Sequence, residues 1–379
     1  MEIANNTFAL ELFKLLYETN KEKNSFLSPL IISASATMIL MGSRSNTSKS
    51  ISRALLWETA DCEKIHSQFK DYLSLLQEPC QHYEILLGIR LLLEKKWRFT
   101  EEFKHKMKEY YLSNPGETDF EHNSDTAREK INSWVGAITH GSVNEHFTPE
   151  TWTNVASLLL VSSVYFKGKW DHEFDEKNTQ ELPFVTAPGT SETVPMMCHT
   201  GRYPYIKDNE LRFSATEIPY QGGKLGMVII LPDEYFGLEG LIRNLTQDNM
   251  TSLLRNLYMA DSAVNLIVPK FEIKASFNLS QALSKLGMAD AFGSDTANFG
   301  DMADKAKGVH LSSVDHVAVI KVDEEGTRPA PVTGNRGRAK AGSSNILKVR
   351  VDHPFLFTIV DRRIQDGFLF MGHVCNPAL

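Results

Sequence analysis

Arg336, Arg338 and Lys340 place three cations within five residues of chain. They belong to the stretch Gly326–Asn345, GTRPAPVTGNRGRAKAGSSN, which has four Gly, two Pro, four basic residues and no acidic ones. Val332 is its only large aliphatic side chain, so the stretch has no face to bury and should lie exposed. An exposed Lys or Arg followed by a small residue is a bond that a protease with an acidic specificity pocket will cut. The chemistry on offer is therefore that of being cleaved. A connection of about 20 residues is unusual inside a compact domain and is more often functional or disordered than ordinary. Strand-like sequence brackets it on both sides, Val317–Val322 before and Leu347–Val351 after.

Little else in the 379 residues is equipped to react. G-x-S-x-G, H-E-x-x-H, a Walker loop, G-x-G-x-x-G and EF-hand spacing are all missing. His172-Glu173 lacks the second histidine of a zinc motif. An enzyme is not expected, nor a cofactor or a metal site. The basic cluster has no interleaved aromatic for base stacking, and a net charge of −7 argues against nucleic acid and acidic membranes as partners. No apolar run reaches membrane-spanning length; the longest, Ala156–Phe166, is interrupted by Ser157, Ser162 and Ser163. Cys62, Cys80, Cys198 and Cys375 form no CxxC pair and read as plain thiols, which suits a reducing compartment. The N-terminus lacks the basic, apolar and small-residue order of a signal peptide. A cytoplasmic location is expected, with unconventional secretion left open. The N-x-S/T matches at Asn5, Asn46, Asn244, Asn249 and Asn278 matter only if the chain meets the secretory pathway.

The elements that must carry the exposed stretch are helices first and strands later. Phe8, Ala9, Leu12, Phe13 and Leu16 repeat at helical spacing. Ser28-Pro29 predicts a helix start, with the run ending at Gly42. Asn46–Leu56, Glu63–Leu76 and Glu101–Tyr111 also have helical spacing, as does Ser124–Ile138, capped by Ser124 or Asp125. Ile85–Leu93 is the first strand candidate. Beyond residue 155, Ser157–Phe166 and Leu225–Leu231 predict buried strands. Val264–Ile273 alternates, and Leu279–Leu286 predicts a helix stopped by Gly287. Pro354–Val360 and Phe368–Val374 close the chain as two apolar strands. Ser113–Asp125 and Thr186–Glu192 read as surface connections. With 42% hydrophobic and 23% charged residues and no dividing linker, this is an α+β chain, with one domain expected over 1–379.

Short segments in order along the chain carry a resemblance. They run from Asn24-Ser-Phe-Leu-Ser-Pro29 and Gly42-Ser-Arg-Ser-Asn-Thr47 through Tyr165-Phe-Lys-Gly-Lys-Trp170, Val194-Pro-Met-Met197 and Ile218-Pro-Tyr220. They continue with Ile229-Ile-Leu-Pro-Asp-Glu234, Val268-Pro-Lys-Phe271 and Glu324-Glu-Gly-Thr327, then His353-Pro-Phe-Leu-Phe357 and Phe370-Met-Gly372. The chain resembles a serpin over nearly its whole length, most of all the ovalbumin-related, largely intracellular branch. The resemblance implies about nine helices, a five-stranded main sheet, two smaller sheets, and a metastable fold with an exposed reactive-centre loop at about 324–346. It also implies the mode of action: a serine protease cleaves the loop and forms an acyl-enzyme. The loop's N-terminal part then enters the main sheet, and the protease is trapped. Family spacing puts the cut at Lys340–Ala341, with Arg338–Ala339 as the alternative, and a trypsin-like protease as the partner of a monomer.

The same resemblance assigns the hinge to Glu324, Glu325, Gly326, Thr327, Arg328, Pro329, Ala330 and Pro331, where inhibitory serpins carry mostly Ala. Two prolines are poor material for a central strand, so a non-inhibitory serpin, cleaved as a substrate or acting as a binding protein, is the competing expectation. Trp170 matches the tryptophan at the top of the sheet, where insertion begins. Ser28 and His316 match positions beneath it; His316 also reads simply as a satisfied core histidine. Ser162 stands where the family usually has Asn, and Ile31 where it has Ser. The helix near Glu63–Leu76 that binds heparin in some relatives carries only Lys64 and Lys70, so no heparin site is expected.

Overall fold

The computed structural model describes residues 2–152, 157–325, 346–364 and 367–379. The first third holds α1 (Glu2–Asn20), β1 (Ser25–Leu27), α2 (Pro29–Met41), α3 (Ser45–Ala54) and α4 (Cys62–Gln77). It continues with β2 (Tyr83–Glu94), β3 (Arg98–Phe99), α5 (Glu101–Tyr111), β4 (Gly116–Thr118) and α6 (Ser124–Ile138). Next come β5 (Leu158–Gly168), β6 (Gln180–Ala187), β7 (Thr190–Tyr203), β8 (Tyr205–Asp208), β9 (Phe213–Pro219) and β10 (Leu225–Pro232). The remainder comprises α7 (Leu238–Asn244), α8 (Gln247–Met259), β11 (Ser262–Pro269), β12 (Phe271–Asn278) and α9 (Ser280–Leu283). Last are β13 (Ala303–Asp304), β14 (Leu311–Val322), β15 (Leu347–Arg350), β16 (Phe355–Asp361) and β17 (Gly367–Val374). The order bears out an α+β chain.

The main sheet has five strands in the order β12-β14-β5-β2-β4. Its centre is a parallel pair, β14 against β5, running from Leu311↔Leu158 to Ile320↔Phe166; every other pair but β2–β4 is antiparallel. A six-stranded sheet, β1-β17-β16-β10-β9-β8, and a four-stranded one, β15-β11-β7-β6, complete the larger layers, and β13 pairs with β3. The segment 326–345 thus joins β14, in the centre of the main sheet, to β15, at the edge of the four-stranded sheet.

Burial follows from position. From Pro29 to Leu40 every residue of α2 is buried, as expected of a helix apolar on all sides; α2 contacts β5 on one side and β17 on the other. Ser28 caps it, its hydroxyl accepting from the Ile31 amide at 3.4 Å, with Pro29 in the first turn. In front of the main sheet α6 packs against β2 and β5. Central strand β5 is therefore covered on both faces, whereas β12, at the edge, alternates buried and exposed.

Several boundaries differ from expectation for identifiable reasons. The alternating run Val264–Ile273 is two strands in two sheets. Pro269 cannot donate to a ladder, and the chain turns a corner at Lys270, whose amide bonds Pro195 O. Ile85–Leu93 is preceded by β1, which at three residues is too short to show a period. Ser113–Asp125 contains β4, the edge strand of the main sheet, and Ser113 is buried with its hydroxyl on Ile89 O. Thr186–Glu192 is the tip of the β6–β7 hairpin, turned at Gly189 (φ 75°). The N-cap of α6 is Asn123, without a side-chain capping bond; its Nδ2 donates to Asp119, and the Ser124 hydroxyl accepts from Trp152 Nε1 at 2.6 Å. Leu279–Leu286 begins as α9 and widens into a π turn over 284–288, with Gly287 at φ 112° where the helical sense is lost.

Candidate functional site: the seam between β5 and β14

Two strand ends meet at the top of the parallel pair. Strand β5 leads into Trp170, and β14 leads into Asp323–Glu325, the last described residues before 326. Buried Trp170 donates from Nε1 to Asp323 O at 2.9 Å and from its amide to Glu325 O at 3.4 Å. Its ring stacks on Tyr220 at 4.5 Å between centroids, 14° from parallel, and meets Phe174 edge-on. The indole thus bridges the ends of the two strands just before residue 326.

Glu324 is a second fastening there. Its backbone oxygen accepts from the Phe174 amide at 2.9 Å. Its carboxylate is buried, taking a hydrogen bond from Thr179 Oγ1 at 2.8 Å and an ion pair from Lys270 Nζ at 2.7 Å. Burial pushes the carboxyl up, but the Lys270 and Thr179 bonds prevail and hold it below its ordinary value. Lys270 remains about a third exposed, so the pair is moderate in strength. We expect Lys270→Ala to leave the buried carboxylate without its cation and to destabilise the native state by about 1–3 kcal/mol. A thermal melt checks this; an unchanged melting temperature would show that Thr179 and solvent suffice.

Midway down the seam lies a continuous polar chain. Fully buried His316 of β14 accepts at Nε2 from the Ser28 amide at 3.0 Å. A nitrogen that accepts from a backbone N–H carries no proton, so the ring's hydrogen is on Nδ1 and is donated to Ser162 Oγ at 2.8 Å. Ser162, on β5, passes its own proton to Asp315 O at 3.3 Å, and Ser28 Oγ donates to Leu369 O at 2.8 Å. The Ser162 hydroxyl therefore reaches across the seam despite its short arm. Ile31 is also buried, and its aliphatic side chain has no group to hydrogen-bond.

Burial, with His146 as a lesser cause, lowers His316 to about 3; burial likewise lowers His66 and His373 to about 4. The sign of the linkage follows. Below about pH 6.5 the unfolded chain binds protons that these folded sites refuse, so stability falls as pH falls, about 1.4 kcal/mol per pH unit and per site. We expect the melting temperature to drop from pH 7 to pH 5, and His316→Gln to show a shallower drop. An unaltered slope would mean that His316 is not held neutral.

The predicted site residues thus sort into two groups. Trp170, Ser28, Ser162, His316 and Glu324 converge on one seam, with Glu325 at its upper end. Gly326, Thr327, Arg328, Pro329, Ala330, Pro331, Arg338, Ala339, Lys340 and Ala341 lie outside the described residues. Tyr220, Thr179 and Lys270 escaped the sequence reading: Glu324's partners sit 145 and 54 positions away, and no local pattern announces them. Among the described residues there is no cluster of three or more His, Cys, Asp or Glu able to hold a metal, and no helix is long and apolar enough to cross a membrane.

The serpin (serine protease inhibitor) family model matches residues 3–377. Leukocyte elastase inhibitor from Homo sapiens is 32% identical over 384 residues, covering 99% of this chain and 98% of that protein. Serpin B8 from Bos taurus is 34% identical over 375 residues, with the same coverage. Uncleaved ovalbumin superposes with a TM-score of 0.90 at 26% identity, covering 100% of both chains. Thyroxine-binding globulin in complex with thyroxine gives 0.86 at 27% identity, over 99% of this chain and 98% of that one. Sequence likeness over the full length and a shared fold agree: the chain belongs to the serpin family of serine protease inhibitors.

Proposed function

We propose that this serpin is a suicide-substrate inhibitor of trypsin-like serine proteases. What supports the reading is that Arg338 and Lys340 fall, in the sequence, within the connection that follows β14 and Glu325. The protease serine attacks the Lys340 carbonyl carbon. The Lys340–Ala341 bond breaks, the amine of Ala341 leaves with the serine's proton relayed through histidine, and Lys340 remains esterified to the enzyme. Residues from Glu324 onward, freed at one end, fold back antiparallel to β14 and part it from β5, carrying the esterified protease away from its binding position. Inhibition is then a race between insertion and hydrolysis of the ester. Arg338–Ala339 is the alternative bond. The leukocyte elastase inhibitors are named for elastase, whereas a Lys or Arg suits a specificity pocket carrying an Asp.

Pro329 and Pro331 favour a second reading, in which insertion is too slow and the chain is cleaved as a substrate or acts as a binding protein. The proposal extends to one domain over 1–379, a monomer, and a cytoplasmic place of action. Mass spectrometry after brief trypsin treatment tests the bait: a C-terminal fragment beginning at Ala341, or at Ala339, is expected. First cleavage outside the 326–345 segment would refute it.

A further inference from the structure

On the front of the main sheet the segment 139–152, which follows α6, crosses the β5–β14 seam. On one side it is fixed to α6: the Phe147 amide donates to Asn132 Oδ1 at 2.9 Å, and Asn132 Nδ2 returns a bond to Phe147 O at 2.8 Å. Helix α6 packs on β2 and β5. One residue earlier the chain grips the opposite side. His146 Nδ1 lies 3.2 Å from Ser276 Oγ on β12, and Nε2 lies 3.5 Å from Asp315 Oδ1 on β14. Both side chains are 6% exposed. Asp315 is itself held on that side by Ser313 Oγ and Asn278 Nδ2.

We propose that His146 and Asp315 form a strap across the β5–β14 seam whose release sets how fast the sheet opens. Admitting a strand moves β5 and β14 apart by about 4.7–4.9 Å, and a 3.5 Å contact does not survive that. It shares the load with the β5–β14 ladder, the Ser162–His316 bond and the Trp170 bridge, and is the contact among them made from outside the two strands. The strap borders a cavity of about 450 Å³ lined by polar groups such as Ser280 and Ser312, and His146 Nε2 makes no hydrogen bond there. The Asp315 contact is thus held by proximity, without the alignment that would lock it. This assigns a rate-setting role in the proposed insertion to two residues outside the loop, and so rests on that reading; the contact itself does not.

Hydrogen exchange on the full native chain separates the two. In His146→Ala, amides of 158–168 and 311–322 should exchange roughly fivefold to tenfold faster, with Asp315→Asn similar and the double variant no faster than either. His146→Gln, which retains a donor, should restore much of the protection. Unchanged exchange in His146→Ala, or additive effects in the double variant, overturns the strap. After loop cleavage, the melting temperature of His146→Ala should climb to its final value faster than wild type by the same factor. If cleavage raises it in neither protein, the insertion reading fails, and the strap is judged on exchange alone.

Discussion

Replacing Arg338 and Lys340 together by Ala is expected to slow capture of trypsin by about 10²-fold to several 10³-fold. The specificity pocket of a trypsin-like enzyme buries a carboxylate that the incoming cation neutralises. Withdrawing one partner of such a pair costs about 3–5 kcal/mol because the other charge stays buried and unpaired, and about 1.4 kcal/mol is a factor of ten. The single variants decide the register. Lys340→Ala alone should account for nearly all the loss if Lys340–Ala341 is the reactive bond, and Arg338→Ala alone if the alternative holds. Stopped-flow or progress-curve kinetics of trypsin inhibition read the rate. None of these changes removes a core contact among the described residues, so the melting temperature should stay where it is. A double variant that still captures trypsin at the wild-type rate would move the bait elsewhere.

Substituting Pro329 and Pro331 by Ala should shift the outcome from cleavage toward capture. The two prolines are spaced i, i+2, so in an inserted strand the N–H groups they lack would all have pointed toward the same neighbour. One ladder loses two bonds while the other is intact. Each missing bond leaves a buried carbonyl without its donor, about 1–3 kcal/mol, which is roughly tenfold in insertion rate per proline where the penalty is fully felt before the transition state. The number of serpin molecules consumed per trypsin inactivated should therefore fall in Pro329→Ala/Pro331→Ala. An unchanged stoichiometry would show that another step limits insertion, with the strap at His146 and the Trp170 bridge the next to test.

Much of the framework was legible because it is periodic or buried. Glu101–Tyr111 and Ser124–Ile138 came out with their helical bounds, since each has a repeat long enough to outweigh noise. Ser28-Pro29 announced α2 through capping chemistry alone. The seam was legible only residue by residue through the family likeness. Nothing local in the sequence says that the Ser162 hydroxyl meets His316 across two strands, or that the Glu324 carboxylate is buried against Thr179 and Lys270. Its partners come from β11's exit and from the turn before β6, and only the fold brings them together. His146 gave no signal, being one histidine in an irregular segment. Register between sheets was likewise hidden: the corner at Lys270 separates two strands that read as one.

The central claim is that cleavage and trapping are one event, and a denaturing gel of trypsin mixed with the intact chain tests it most directly. The account predicts a band at the summed mass of serpin and protease that resists SDS, with trypsin activity lost in proportion. Clean conversion to a chain cut at Lys340 or Arg338, with trypsin fully active, would contradict it.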